Sequence, residues 1–150
     1  MAARRGCGRV SRCMRMDSPT TGRCLCGAVK FRISGAFESF FLCHCSRCRR
    51  DSGSAHSANL FSSAAQITWL SGENNIKCFR LSGTRHVKCF CTECGSALPF
   101  SQASDGVTVV PAGSLDGEIG IRPSAHICFS SRADWDDDLA SLERIEGLPG

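Results

Sequence analysis

Apolar and polar positions alternate with period two in short runs along most of the chain. The clearest is Ala28-Val29-Lys30-Phe31-Arg32-Ile33, which reads as a strand with one buried face. Gly35 ends it, and residues 37–42 form a second such run. Strand-like pieces follow at 58–61, 67–70, 76–81, 85–90, 97–100, 107–112 and 125–129, with Gly72, Ser82-Gly83, Asp105-Gly106 and Asp116-Gly117 as turn signals between them. Residues 46–51 are expected to make one short helical turn before the Ser52-Gly53-Ser54 breaker, and residues 137–145 carry only a weak helical pattern. Long helical periodicity is missing. Many short strands joined by glycine turns predict a mainly-β fold, and 150 residues without an internal repeat predict a single domain.

The charge is unevenly spread. Arg4, Arg5, Arg9, Arg12 and Arg15 give the first fifteen residues five positive charges and no acid, whereas from Met16 onward thirteen basic residues face fourteen acidic ones. Residues 1–20 are therefore read as a disordered basic extension too polar to build a core, carrying Cys7 and Cys13 as free thiols, with the folded domain over 21–149. That stretch has no apolar run of signal-peptide or membrane length, which predicts a cytoplasmic protein with no membrane association. With no tyrosine and two tryptophans, the body lacks the aromatic and basic stripe of a nucleic-acid binder.

Cysteine changes the picture most. There are twelve, and seven fall into three clusters: Cys24-Leu25-Cys26, Cys43-His44-Cys45-Ser46-Arg47-Cys48 and Cys91-Thr92-Glu93-Cys94. In a reducing compartment such clusters point to metal rather than to disulfides. Cys24/Cys26 and Cys91/Cys94 are each followed by glycine, which lets a tight turn aim its amides at the sulfurs. Joined through one saturated tetrahedral zinc, these four would close a loop of about seventy residues and act as a structural site. Cys43, Cys45 and Cys48 are left with an open coordination position. Three thiolates over-neutralise a dication, making such a zinc a weak Lewis acid that suits a soft sulfur ligand better than hydrolysis. Arg47, Arg49 and Arg50 would offset the negative charge and could hold carboxylates. An alternative pairs Cys45/Cys48 with Cys91/Cys94 as a zinc ribbon, although the 42 intervening residues are long for one.

The blocks Gly22-Arg23-Cys24-Leu25-Cys26-Gly27-Ala28-Val29, Cys43-His44-Cys45-Ser46-Arg47-Cys48-Arg49-Arg50 and Ser52-Gly53-Ser54 resemble the glutathione-dependent formaldehyde-activating enzyme family, which is related to centromere protein V. Phe90-Cys91-Thr92-Glu93-Cys94-Gly95-Ser96, Ala112-Gly113-Ser114-Leu115-Asp116, His126-Ile127, Arg132, Trp135 and Glu146-Gly147-Leu148-Pro149 continue the resemblance over about residues 21–149. It implies a zinc-stabilised β-tent fold and two zinc ions per chain: a structural one on Cys24, Cys26, Cys91 and Cys94, and a catalytic one on Cys43, Cys45 and Cys48. It also implies carbon–sulfur lyase activity on S-hydroxymethylglutathione or another thiol–aldehyde adduct, with glutathione and an aldehyde as partners. The alternative is a non-catalytic zinc module or thiol carrier that makes nucleic-acid or protein contacts through its arginine-rich N-terminus.

The remaining candidates have plainer expectations. Cys78 and Cys128 sit in strand-like runs and are expected as core thiols, and Cys89 as a small buried hydrophobe rather than an alternative ligand. His44 is awkwardly placed to ligate between two cysteines, so a supporting or surface role is expected. His56, His86 and His126 are isolated in sequence; His56, behind the Ser-Gly-Ser breaker, is kept as a candidate for the substrate pocket. Asp116 is expected to cap a turn. Asp134, Asp136, Asp137 and Asp138 read as a solvated acidic face.

Overall fold

The structure, a computed structural model, describes residues 18–150; Cys7, Cys13 and the arginine-rich segment lie outside the described residues. Eleven short strands and one helix follow in the order β1 (Thr20–Arg23), β2 (Lys30–Ser34), β3 (Ser39–Cys43), α1 (Ser46–Ser52), β4 (Ser57–Ser62), β5 (Gln66–Ser71), β6 (Ile76–Arg80), β7 (Val87–Cys91), β8 (Ala97–Leu98), β9 (Phe100–Ser101), β10 (Thr108–Pro111) and β11 (Ala125–Ile127). They form three small sheets: β1-β2-β5, β11-β3-β4-β10-β9 and β6-β7-β8. All pairings are antiparallel except β11 with β3, which is parallel. The fold is mainly β and a single domain.

The alternation in β2 works as the pattern predicts. Phe31 and Ile33 face inward at no more than 1% exposure, while Lys30 and Ser34 face solvent. Phe31 meets Trp69 of β5 edge-on, with ring centroids 5.9 Å apart. Leu60, Leu98 and Val110, from β4, β8 and β10, complete the same buried cluster, which also includes Cys24 and Cys91. Two sulfurs of the outer cysteine pairs thus belong to the core itself.

β1 is a strand that alternation does not reveal. Its sequence Thr-Thr-Gly-Arg has no apolar residue, and it forms by pairing in register with β2, Gly22 opposite Phe31. A side chain at Gly22 would overlap the Phe31 ring and the Ser114 carbonyl, so the chain passes there only as glycine.

The single run expected over 97–100 is split at Pro99. Lacking an N–H, Pro99 ends the pairing of β8 in the third sheet, and the chain resumes as β9 in the second. The run expected over 125–129 stops at Ile127, because Cys128 adopts a left-handed backbone (φ 52°). Residues 137–145 make only one 3-10 turn, Leu139–Ser141, entered through Asp138 at φ 49°.

Two cysteine expectations are corrected. Cys128 is exposed rather than in the core. Cys78 lies on the exposed β6 strand opposite Cys89 of β7, and the two are joined as a disulfide. A close cross-strand pair brings their sulfurs together (Cα–Cα 4.0 Å), so Cys89 is buried as expected but is not a lone hydrophobe.

Candidate metal centres

The first cysteine turn links β1 to β2. Gly27 N–H donates to the Cys24 carbonyl at 3.0 Å, with Gly27 at φ 78°, and Val29 N–H donates to Cys24 Sγ at 3.2 Å. The turn after β7 repeats this geometry. Gly95 N–H donates to the Cys91 carbonyl at 2.7 Å with φ 74°, and Cys91 N–H donates to the Ser96 carbonyl at 3.0 Å. Ser96 ties the two turns together: its hydroxyl oxygen accepts from Leu25 N–H at 2.9 Å and lies 3.2 Å from Cys94 Sγ. All four sulfurs of Cys24, Cys26, Cys91 and Cys94 come within 4.8 Å of one another, Cys24 and Cys91 buried and Cys26 exposed.

Such crowding has an electrostatic signature. Burial opposes ionisation of Cys24, yet the Val29 N–H and the neighbouring Cys26 and Cys91 sulfurs outweigh it and lower its pKa. The Ser96 hydroxyl, with backbone support, brings Cys94 down to about 5. Cys26, although its sulfur faces the Ala28 amide, is pushed up to about 12 by Cys24 and by desolvation. Four thiols this close cannot all ionise unless a cation sits among them, and the N–H groups aimed at the sulfurs favour the thiolate form. The donor set therefore fits a thiophilic metal ion.

The second group is built on one turn. β3 delivers Cys43, and Cys45 is the N-cap of α1, its Sγ accepting from Cys48 N–H at 3.4 Å. Gly53 closes the helix in a left-handed conformation (φ 65°), its N–H donating to the Arg49 carbonyl at 2.8 Å. The sulfurs of Cys43, Cys45 and Cys48 also fall within 4.8 Å of one another, and among the described residues no other Cys, His, Asp or Glu joins them. Burial raises Cys43 and Cys48, whereas the Cys48 N–H and the adjoining thiols outweigh burial at Cys45 and lower it. This group also fits a metal ion, with one tetrahedral position left open. The ribbon alternative is not formed, because Cys45/Cys48 and Cys91/Cys94 belong to different groups.

The three arginines separate. Arg47 and Arg50, three apart on α1 and so on one face, line a cleft of about 340 Å³ with Ser46, Phe79, Leu81 and Lys88. The cleft's one carboxylate, Asp51, is already engaged by His86 Nε2 at 2.8 Å and Lys88 Nζ at 2.5 Å. Neither Arg47 nor Arg50 has an ion-pair partner among the described residues. Arg49 does not line that cleft, and its Nε is buried without a hydrogen-bond partner. Asp116, expected as a turn cap, pairs with Arg23 at 3.5 Å.

The histidines are not isolated in space. His44, the first residue after β3, is 1% exposed. Its Nδ1–H donates to Asp136 Oδ2 at 2.6 Å, and its Nε2 lies 2.8 Å from His126 Nδ1. A carboxylate can only accept, so a neutral His44 must take its second bond from the His126 N–H. Phe129 packs edge-on against the His44 ring at 5.1 Å, and His44 N–H donates to the Ile127 carbonyl at 3.0 Å. His56 lies 5.1 Å from His44 with Nδ1 buried and unpartnered; burial and the nearby His44 ring lower its pKa. It lines a cavity of about 200 Å³ with Ser52, Asn59 and Lys88.

Asp136 is thus buried at 7% exposure, a correction to the reading of the whole acidic run as a solvated face. It and His126 pin the C-terminal segment against the cysteine-trio turn. Asp136→Ala leaves a buried His44 N–H unpaired and is expected to destabilise the fold by about 1–3 kcal/mol. Asp137→Ala, whose carboxylate is exposed, should change stability by no more than about 0.5 kcal/mol. Thermal unfolding of the two variants checks this. Sequence reasoning missed the cluster because its members lie far apart in the chain. No local pattern signalled it: His44 follows β3, and its partners Asp136 and His126 come from the far end of the chain.

Comparison with known proteins follows the same lines. The model of the family described as "Glutathione-dependent formaldehyde-activating enzyme" matches residues 19–131. A protein of Halomonas elongata, named provisionally as a glutathione-dependent formaldehyde-activating enzyme, is 29% identical over 124 residues, covering 76% of this chain and 77% of that protein. The crystal structure of a Rhodobacter sphaeroides protein superposes with a TM-score of 0.52 at 25% identity, covering 69% of this chain and 97% of that one.

Proposed function

Because the chain belongs to the glutathione-dependent formaldehyde-activating enzyme family, we propose that it is a cytoplasmic, zinc-dependent carbon–sulfur lyase that interconverts a thiol plus a small aldehyde with their S-hydroxyalkyl adduct. S-hydroxymethylglutathione is the adduct that the family name suggests. The observation that carries this reading is the Cys43, Cys45 and Cys48 group, three sulfurs gathered with no fourth protein ligand among the described residues. Cys24, Cys26, Cys91 and Cys94 would hold a second, structural zinc within the domain over 21–149. Zinc bound at the trio would supply a soft acceptor that favours thiolate over thiol.

The chain's own groups position the substrate. Arg47 and Arg50 line a cleft beside the trio helix and pair with no acid among the described residues, so they suit the carboxylates of a peptide thiol. The exposed Phe79 offers that ligand's aliphatic stem an apolar wall. His56, neutral near pH 7 because its pKa is lowered, lines the adjoining cavity and is the candidate polar contact there. Arg49, more enclosed on the same helix, adds positive potential around the thiolates.

The test is thiol-dependent turnover of formaldehyde. Arg47→Ala and Arg50→Ala are each expected to raise KM for glutathione about tenfold or more, the weight of a charge-assisted hydrogen bond. They should leave turnover with a carboxylate-free thiol such as 2-mercaptoethanol unchanged. The alternative, a thiol carrier built on the same trio, predicts thiol binding with no turnover of any small aldehyde.

A further inference from the structure

The Cys78–Cys89 pair takes part in neither metal group, and its two residues are unequally exposed. Cys89 is 3% exposed on β7, whereas Cys78 is exposed on β6. The disulfide forms part of the wall of a second cleft, of about 850 Å³, between β5 and β6, lined also by Trp69, Ile76, Glu73 and Arg80. Arg80 lies two residues after Cys78, so it shares that residue's face of the strand, and it has no ion-pair partner among the described residues. A disulfide with one exposed residue, an unpaired guanidinium on the same face and an open cleft with an aromatic wall are together what an anionic thiol needs for approach.

We propose that Cys78 is a site of reversible S-thiolation by a low-molecular-weight anionic thiol, with Cys89 as the resolving thiol. The thiolate RS⁻ attacks Cys78 Sγ, the sulfur of the exposed residue. The Cys78–Cys89 bond breaks, an RS–S bond to Cys78 forms, and Cys89 leaves as a thiolate that takes a proton from solvent. In the reverse step, deprotonated Cys89 attacks Cys78 Sγ, restoring the disulfide and expelling RS⁻. A second RS⁻ attacking the R-side sulfur of the mixed disulfide instead releases RSSR and a Cys78 thiolate. The protein disulfide is then reduced by two electrons and two thiols are oxidised. Glutathione belongs to this class of thiol. The site is independent of the lyase reading, because it uses neither cysteine group and needs no aldehyde.

The experiment treats the full metal-loaded chain with mixtures of glutathione and glutathione disulfide, quenches in acid and maps the adducts by peptide mass spectrometry, with metal per chain counted alongside. One glutathione per chain on the peptide carrying Cys78, at unchanged metal content, is expected. Cys89→Ser should trap that adduct, Cys78→Ser should give none at Cys89, and Arg80→Ala should slow thiolation by glutathione severalfold without slowing it for 2-mercaptoethanol. The wild-type map decides even if a variant fails to fold. An adduct on Cys89, adducts confined to the metal-group cysteines, or a Cys78–Cys89 disulfide that persists through the whole series would overturn the proposal.

Discussion

Cys91→Ala is expected to abolish the folded state of the domain. Cys91 ends β7, is fully buried, and packs in the same core cluster as Phe31 and Leu60. Its sulfur belongs to the group that joins the β1–β2 turn to the β7–β8 turn, so one substitution disconnects the first sheet from the third. The core left to carry the fold is small and divided among three short sheets. A structural zinc contributes about 10–16 kcal/mol of apparent binding free energy in zinc-finger peptides. Domains as a class have only about 5–15 kcal/mol of total stability. The metal term is therefore as large as the whole margin, and a chelator strong enough to strip this group should have the same effect as the substitution. Far-ultraviolet circular dichroism and thermal unfolding with and without chelator check both. A cooperative transition retained in Cys91→Ala, near the wild-type midpoint, would show that the group does not hold the fold.

The opposite is expected for the trio. Cys43 ends β3, Cys45 caps α1 and Cys48 lies in its first turn, and none of them joins the core cluster. Serine keeps the one local role that a sulfur plays there, because Cys45 caps α1 and serine is a strong N-cap. Cys45→Ser should thus leave the fold near wild-type stability while removing one of the three gathered sulfurs. On the proposed reading the trio holds the thiol as thiolate beside the aldehyde, and lost positioning is worth several kcal/mol, so thiol-dependent aldehyde turnover should fall by roughly a thousandfold or more. Steady-state kinetics on a variant shown by circular dichroism to be folded is the measurement. Unchanged turnover would place the chemistry elsewhere.

The two variants differ because sequence position and structural depth differ, and only part of that was legible in the chain. Alternation in 28–33 places β2 closely, since that strand buries one face and exposes the other, whereas the runs 58–61, 76–81 and 85–90 fall on β4, β6 and β7 without that contrast. The cysteine-glycine turns are legible for the same local reason: one or two residues between thiols plus a glycine specify a tight turn. β1 was hidden because Thr20–Arg23 owes its conformation to its partner strand rather than to its own residues. The Asp136–His44–His126 chain was hidden because it needs both the parallel pairing of β11 with β3 and the docking of the later Asp136 against His44, tertiary events without local signal. The Cys78–Cys89 disulfide lay between these cases. With a turn near Gly83 the hairpin register sets the two residues opposite each other, but which pairs oppose depends on a register that periodicity alone leaves free by two residues.

The central claim is that two separate metal ions sit on two cysteine groups with different roles. Metal counting by native mass spectrometry on the full chain tests it most directly, comparing wild type with the variant in which Cys43, Cys45 and Cys48 are all serine. Two zinc ions per wild-type chain, falling to one in a variant that stays folded, is the predicted result. One zinc per wild-type chain after reconstitution with excess zinc, or loss of both ions from the variant, would contradict it.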